Sequence, residues 1–95
     1  MKNMSEPLHQ PDAVVIDVRT NTEFMGGHLS GSINIPLNEI QNHLGELKQL
    51  KNIIVCCASG TRSQKATLLL RQFDVECFDG GAWTDLQTSL LINQQ

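Results

Sequence analysis

The stretch Ile53-Ile54-Val55-Cys56-Cys57-Ala58-Ser59-Gly60-Thr61-Arg62-Ser63 decides how this chain folds. Its first part, 53–56, is a continuous apolar run, which is typical of a strand covered on both faces of a sheet. Small and polar residues follow at once, and residues 64–70 have the composition of a helix. The stretch therefore predicts a buried strand, a short loop and a helix N-terminus, with a thiol at their junction.

Alternating strands and helices are predicted on both sides of this stretch. The predicted strands are 13–18, 32–35, 53–56 and 75–78. The predicted helices are a short turn over 22–25 capped by Thr20 or Asn21, a helix from Asn38 to about Leu50, a helix over 64–73 that turns Ala66, Leu69, Leu70 and Phe73 inward, and a last helix from Ala82 onward. Asp79-Gly80-Gly81 predicts a turn. This alternation indicates an α/β domain with a largely parallel sheet.

Length and composition limit the classes of function. Ninety-five residues predict one domain, with a lead-in over 1–11, the folded domain over 12–92 and a frayed end over 93–95. Hydrophobic residues make up 40% of the chain, enough to form a core. The net charge of −3 and the lack of tyrosine argue against a surface for nucleic acid or for anionic membranes. A monomer is expected.

The cysteines predict free thiols in a reducing compartment. Three cysteines, two of them adjacent, do not form the framework of a secreted disulfide protein. His9, His28 and His43 lack metal-ligand spacing with them, so neither a metal nor a cofactor is expected. Residues 1–7 have no apolar core of a secretory signal, and no stretch is long enough to span a membrane. A cytoplasmic location is therefore expected.

Cys57 lies where the predicted fold can activate a thiol. The loop aims several backbone N–H groups and the positive end of a helix dipole at one point. A thiol there ionises more easily than a free cysteine, and an anion can bind beside it. Arg62 closes the loop and adds a cation suited to oxyanions. The resulting hypothesis is nucleophilic chemistry at Cys57 on an anionic substrate.

The adjacent cysteines leave two ways to count the loop. Counted from Cys57 it is Cys-x-x-Gly-x-Arg-Ser, and counted from Cys56 it is Cys-x5-Arg, the spacing of protein tyrosine phosphatases. Phosphatase loops usually carry histidine before the cysteine, whereas Val55 precedes Cys56 here. Burial in the strand would also raise the pKa of Cys56. Cys57 is favoured, and a phosphatase or arsenate reductase acting through Cys56 is the alternative.

Several segments, taken in order, carry a resemblance to a known family. They are Val15-Ile16-Asp17-Val18-Arg19, Glu23-Phe24, the stretch 27–36, the stretch 54–63 and Gly80-Gly81-Ala82-Trp83. Together they resemble the single-domain rhodanese-like sulfurtransferases, similar to the phage-shock thiosulfate sulfurtransferase type. The resemblance covers nearly all of the chain. It implies a rhodanese-like three-layer α/β fold, with a largely parallel central sheet of about four to five short strands flanked by helices.

The resemblance also implies roles for the loop. Cys57 would be the catalytic residue, taking sulfane sulfur from thiosulfate or a similar small anionic donor as a Cys57 persulfide. The acceptor would be cyanide in the test tube, or a thiol such as glutathione or a thioredoxin-like protein. The substrate-binding residues would be Ala58, Ser59, Gly60, Thr61, Arg62 and Ser63. Asp17, Arg19 and His28 are expected to support the structure.

Other functions stay open. A persulfide carrier in a protein sulfur relay would be loaded by a protein and would react poorly with free thiosulfate. A non-catalytic rhodanese-like binding module typically lacks the loop cysteine, which this chain keeps at Cys57. Cys77 could resolve an oxidised Cys57, although a core thiol is the favoured interpretation.

Overall fold

The structure, a computed structural model, describes residues 8–93, with side chains through residue 90. The strands are β1 (Val14–Asp17), β2 (Ile33–Asn34), β3 (Ile53–Cys57) and β4 (Cys77–Ala82). The helices are α1 (Asn21–Met25), α2 (Leu44–Leu47), α3 (Thr61–Gln72) and α4 (Trp83–Asn93), and a 3-10 helix over Leu37–His43 leads directly into α2. Of the predicted lead-in, residues 1–7 lie outside the described residues. So do residues 94 and 95 of the predicted frayed end. The domain boundaries stay predictions.

The four described strands form one parallel sheet in the order β2-β1-β3-β4. β3 lies between β1 and β4, and all five of its residues are buried. This arrangement confirms the predicted α/β fold with a largely parallel sheet flanked by helices. Because every strand runs the same way, all four carboxyl ends meet at one edge of the sheet, where ligands of such folds bind.

Alternate residues of β3 build two separate apolar layers. Val55 and Cys57 face the layer that contains Ala66 and Leu70 of α3. Ile54 and Cys56 face the other layer, which also contains Leu29 of the loop after α1 and Leu86 of α4. Side chains alternate across a strand, so adjacent residues of β3 enter different surroundings. The sheet is therefore the middle of three layers.

The helix predicted from Asn38 to Leu50 is wrong in its form. The chain instead makes the 3-10 helix after Pro36, without a side-chain cap at its start, and then the single-turn α2. Asn, His and Gly residues favour an α-helix weakly, so this segment lacks the propensity for a continuous one. Ile40 and Leu47 are still buried against the sheet, whereas Leu50 is exposed.

The predicted turn at Asp79-Gly80-Gly81 is also wrong, because these residues belong to β4. The register of β3 against β4 shifts between Val55 and Cys56, so the strand bulges rather than ends. Gly81 takes a φ of 73° at this bulge, a backbone shape that favours glycine. A side chain at Gly80 would come within 2.7 Å of Ile54, so this glycine serves close packing.

The prediction that Phe73 faces inward is also wrong. Phe73 is 40% exposed, because α3 ends at Gln72 and Phe73 turns away as the residue after it. Thr67 and Ser63 are buried in addition to Ala66. The buried face of the helix thus carries two hydroxyl residues, Ser63 in its first turn and Thr67 at its middle.

Candidate active site

Cys57 is the last residue of β3 and lies at the edge where the carboxyl ends of the strands meet. Its side chain is fully buried. Ala58 and Ser59, which follow directly, are exposed. The thiol is therefore held at the boundary between the core and an exposed loop.

Backbone N–H groups of the loop point at the Cys57 sulfur. The N–H of Gly60 donates to Sγ at 3.0 Å, and the N–H of Ser63 donates to it at 3.3 Å. Gly60 has a φ of 103° and is the N-cap of α3. This turn gives the sulfur access to N–H groups of the first helical turn, which have no partner within the helix.

These donors change the acidity of Cys57. Burial is the largest single influence and acts to raise the pKa. Hydrogen bonds from the Ser63 hydroxyl and from the backbone N–H groups of Ser63, Gly60 and Ser59 outweigh it, so the pKa lies below the ordinary value of 9.0. The arrangement thus favours the thiolate, which is the nucleophilic form of cysteine.

The Ser63 hydroxyl has one proton and several acceptors around it. Its Oγ lies 2.8 Å from Oδ1 of Asp79 and 3.0 Å from the carbonyl oxygen of Gly60. Oδ1 of Asp79 also accepts from the N–H of Gly81 at 3.0 Å, which fixes the carboxylate to β4. Asp79 therefore competes with Cys57 for the Ser63 proton, and the backbone N–H groups are the constant donors to the sulfur.

Cys56 lies on the other face of β3, in the layer of Ile54 and Leu86. Burial raises the pKa of its thiol to about 12, with a further contribution in the same direction from the negative charge of Asp17. A thiol with this pKa stays protonated at neutral pH. The strand therefore separates a thiol that resists ionisation from one that favours it.

Arg62 forms a two-pronged ion pair with Glu23 of α1. Its Nη1 lies 2.6 Å from Oε1 and its Nη2 lies 3.0 Å from Oε2. The two side chains are 34% and 37% exposed, so the pair lies at the surface of the site. The hydrogen bond from Arg62 is the main reason that the pKa of Glu23 is lowered to about 2.

A buried ion pair supports the loop after β1. Asp17 is fully buried, and its Oδ2 lies 2.8 Å from Nη2 of Arg19. The same nitrogen donates to the carbonyl oxygen of Gly27 at 2.7 Å, and the guanidinium lies 4.9 Å from the centre of the Trp83 ring. Arg19 thus links the end of β1 to the loop after α1 and to the start of α4.

His28 belongs to the same loop. Its Nδ1 lies 2.8 Å from the carbonyl oxygen of Phe24, and its ring stacks on the Phe24 ring at 3.7 Å between centres. These contacts engage one ring nitrogen and one face of the imidazole in local structure.

The structure brings most of the predicted site residues to one place, with Gly60 and Ser63 touching the sulfur of Cys57. Ala58, Ser59 and Thr61 are exposed around it. Sequence reasoning missed two acidic residues: Asp79, which holds Ser63, and Glu23, which holds Arg62. The spacing of Thr20 and Glu23, which fits a capping box, was the available signal for Glu23.

The described part of the chain also has a groove away from the Cys57 site. A groove of about 560 Å³, lined by residues that include Asn52, Arg71 and Cys77, lies at the amino ends of β3 and β4, the edge opposite Cys57. Among residues 8–93, no cluster of histidine, cysteine and acidic residues could hold a metal ion. Within the same residues, no helix is long and apolar enough to cross a membrane.

The family model for the rhodanese-like domain matches residues 1–84 of this chain. The uncharacterised protein YqhL of Bacillus subtilis is 38% identical over 60 residues, which cover 63% of this chain and 48% of YqhL. Thiosulfate sulfurtransferase 16 from the chloroplast of Arabidopsis thaliana is 42% identical over 67 residues, covering 55% of this chain and 53% of that protein. The chain thus spans about half the length of each of these two relatives.

Solved structures agree with the sequence comparisons. A rhodanese with anions from Escherichia coli superposes with a TM-score of 0.69 at 29% sequence identity. The match covers 77% of this chain and 89% of that one. The similarity therefore extends over most of the sheet and its helices.

Proposed function

This chain belongs to the family of rhodanese-like domains, and sulfur transfer is the general function of that domain. We propose that the chain is a sulfurtransferase with Cys57 as the catalytic residue. The donor is thiosulfate or another small sulfane compound, and the acceptor is a thiol. The observation that carries the proposal is the pair of N–H donors at 3.0 and 3.3 Å from the Cys57 sulfur.

The first step is attack by the Cys57 thiolate on the outer sulfur of the donor. With thiosulfate, a bond forms between Sγ and the outer sulfur, the sulfur–sulfur bond of thiosulfate breaks, and sulfite leaves with the electron pair. The product is a Cys57 persulfide anion, so no proton and no outside electron is needed.

The second step returns the enzyme to its starting form. An acceptor thiolate attacks the outer sulfur of the Cys57 persulfide, the sulfur–sulfur bond breaks, and Cys57 leaves as the thiolate. The N–H groups of Gly60 and Ser63 stabilise that leaving thiolate. The donors that lower the pKa of Cys57 therefore assist departure as well as attack.

The contrast between the two cysteines supports this reaction over a phosphatase or arsenate reductase acting through Cys56. Cys56 lies in an apolar layer with its pKa raised to about 12. The loop N–H groups contact Cys57 instead. The related Arabidopsis protein bears the name thiosulfate sulfurtransferase, which favours the same chemistry.

The test is to incubate the reduced protein with thiosulfate and to measure its intact mass and the modified peptide. We expect the mass of one added sulfur atom on Cys57, removed by cyanide or by a thiol reductant. Cys57→Ser should abolish the gain, and the matched control Cys56→Ser should keep it.

Two results would change the assignment. Loss of sulfur uptake in Cys56→Ser alone would move the chemistry to Cys56. No uptake from thiosulfate, with uptake from a persulfidated protein, would indicate a carrier in a protein sulfur relay.

A further inference from the structure

Glu23 forms an ion pair with Arg62, the cation of the catalytic loop. Arg62 is the only charged residue in the stretch 57–63. Both of its terminal nitrogens are bound to the two carboxylate oxygens of Glu23, at 2.6 and 3.0 Å. This fork geometry is the one through which arginine binds a carboxylate, a phosphate or a similar oxyanion. A dianionic donor that used Arg62 in this way would have to displace Glu23.

The scaffold places the Glu23 carboxylate independently of Arg62. Oε1 accepts hydrogen bonds from the backbone N–H and the hydroxyl of Thr20, both at 3.1 Å. The backbone of Glu23 is anchored as well, since Nη1 of the buried Arg19 lies 3.4 Å from its carbonyl oxygen. An exposed ion pair usually loses stability by ordering two free side chains. Here one partner is already ordered before the pair forms.

Arg62 belongs to the same loop as the active thiol, with four residues between them. The Glu23 contacts are the main cause of the raised pKa of Arg62, and the Cys57 thiolate contributes in the same direction. The ion pair of Arg62 and Glu23 therefore contributes no net charge towards an approaching donor. Because the pKa of Glu23 is about 2, this cancellation holds wherever Cys57 is ionised.

We infer that Glu23 selects among donors by their charge: because it pairs with Arg62, singly charged sulfane donors react faster at Cys57 than dianions such as thiosulfate, which still react. The inference rests on the proposed sulfur transfer at Cys57. A dianion gains little attraction from Arg62 once Glu23 neutralises it, and both of its charges are repelled by the Cys57 thiolate. A monoanion meets the same site with half of that repulsion.

Two donors that differ by one charge isolate this effect. Thiosulfate and methanethiosulfonate both present an outer sulfur bonded to an oxidised sulfur. Attack by Cys57 on thiosulfate releases sulfite, and attack on methanethiosulfonate releases methanesulfinate. In both cases the thiolate becomes a persulfide anion and the leaving group takes the electron pair. The ratio of the two uptake rates therefore reports charge selection.

The experiment compares the wild type with Glu23→Gln by following the added sulfur on Cys57 with intact mass. Glutamine can keep the capping contact at this helix position, so α1 is preserved. We expect the ratio of the thiosulfate rate to the methanethiosulfonate rate to rise about fivefold, and the rise to shrink at high salt. Glu23→Ala should raise the ratio in the same direction.

Two controls separate charge selection from other effects. Glu76→Gln removes an equal charge next to β4 at the opposite edge of the sheet, and it should leave the ratio unchanged. In the double variant Glu23→Gln with Arg62→Gln, the rise in the ratio of the thiosulfate rate to the methanethiosulfonate rate should disappear, because Glu23 acts through Arg62.

The possible results are distinguishable. If the wild type takes sulfur from neither donor, the proposed function is wrong and the inference falls with it. If the wild type takes sulfur but the ratio in Glu23→Gln is unchanged or lower, sulfur transfer stands and the role of Glu23 is overturned. A rise of equal size in Glu76→Gln would also overturn it, because any surface carboxylate would then serve.

Discussion

Cys56 and Cys57 are neighbours in β3 and are equally buried, yet their surroundings act on the two thiols in opposite ways. Cys56 faces apolar side chains, and burial raises its pKa to about 12. Cys57 faces the start of α3, where backbone donors lower its pKa despite burial. The comparison teaches that burial alone does not decide the reactivity of a cysteine. The hydrogen-bond donors on its side of the sheet decide it.

The largest expected effect is the difference in ionisation between the two thiols. With one pKa below 9.0 and the other at about 12, the thiolate population at pH 8 is at least about a thousandfold higher at Cys57. The ultraviolet absorbance of thiolate should therefore rise as the pH increases, with a midpoint below pH 9.0. Cys57→Ser should remove this step, and Cys56→Ser should keep it. A step that survives in Cys57→Ser would break the comparison.

The next effect concerns the buried ion pair of Asp17 and Arg19, since the charge of Asp17 helps to raise the pKa of Cys56. Asp17→Asn leaves the guanidinium of Arg19 buried without its carboxylate, and we expect a loss of about 3 kcal/mol in the free energy of unfolding. The pKa of Cys56 should fall at the same time, because the charge of Asp17 contributes to raising it. Urea denaturation measures the first change.

A matched control is Asp85→Asn on the exposed part of α4. It removes the same charge without exposing a buried partner, so its cost should stay within about 1 kcal/mol. Equal losses in both variants would mean that the buried pair contributes nothing special.

The smallest expected effect sharpens the comparison on the Cys57 side. Ser63→Ala removes a hydroxyl that lowers the pKa of Cys57 and leaves the backbone N–H donors in place. The pKa should therefore rise, and sulfur uptake from thiosulfate at pH 7 should slow by about fivefold, the value of one hydrogen bond. Thr61→Ala, an exposed hydroxyl of the same loop, serves as the control. An unchanged rate in Ser63→Ala would show that Asp79 holds the hydroxyl permanently.

The sequence predicted the parts of the fold that depend on local pattern. Continuous apolar runs located β1 and β3, and the glycine-containing loop located the start of α3. The errors arose where tertiary contacts override local preference. Gly80 and Gly81 suggest a turn in isolation, but the bulge against β3 and the packing of Ile54 against Gly80 keep them in a strand.

What the sequence by itself determined is the class of the fold and the position of a thiol at a strand–loop–helix junction, because both follow from residues adjacent in the chain. Only the tertiary structure decided which charge Arg62 meets. Its partner Glu23 lies 39 residues away, and no local pattern specifies a contact made by packing α1 beside the loop. The tertiary structure also decided that Asp79 reaches Ser63 across the edge of the sheet. Sequence spacing predicts contacts within an element, whereas the sheet order and register set contacts between elements.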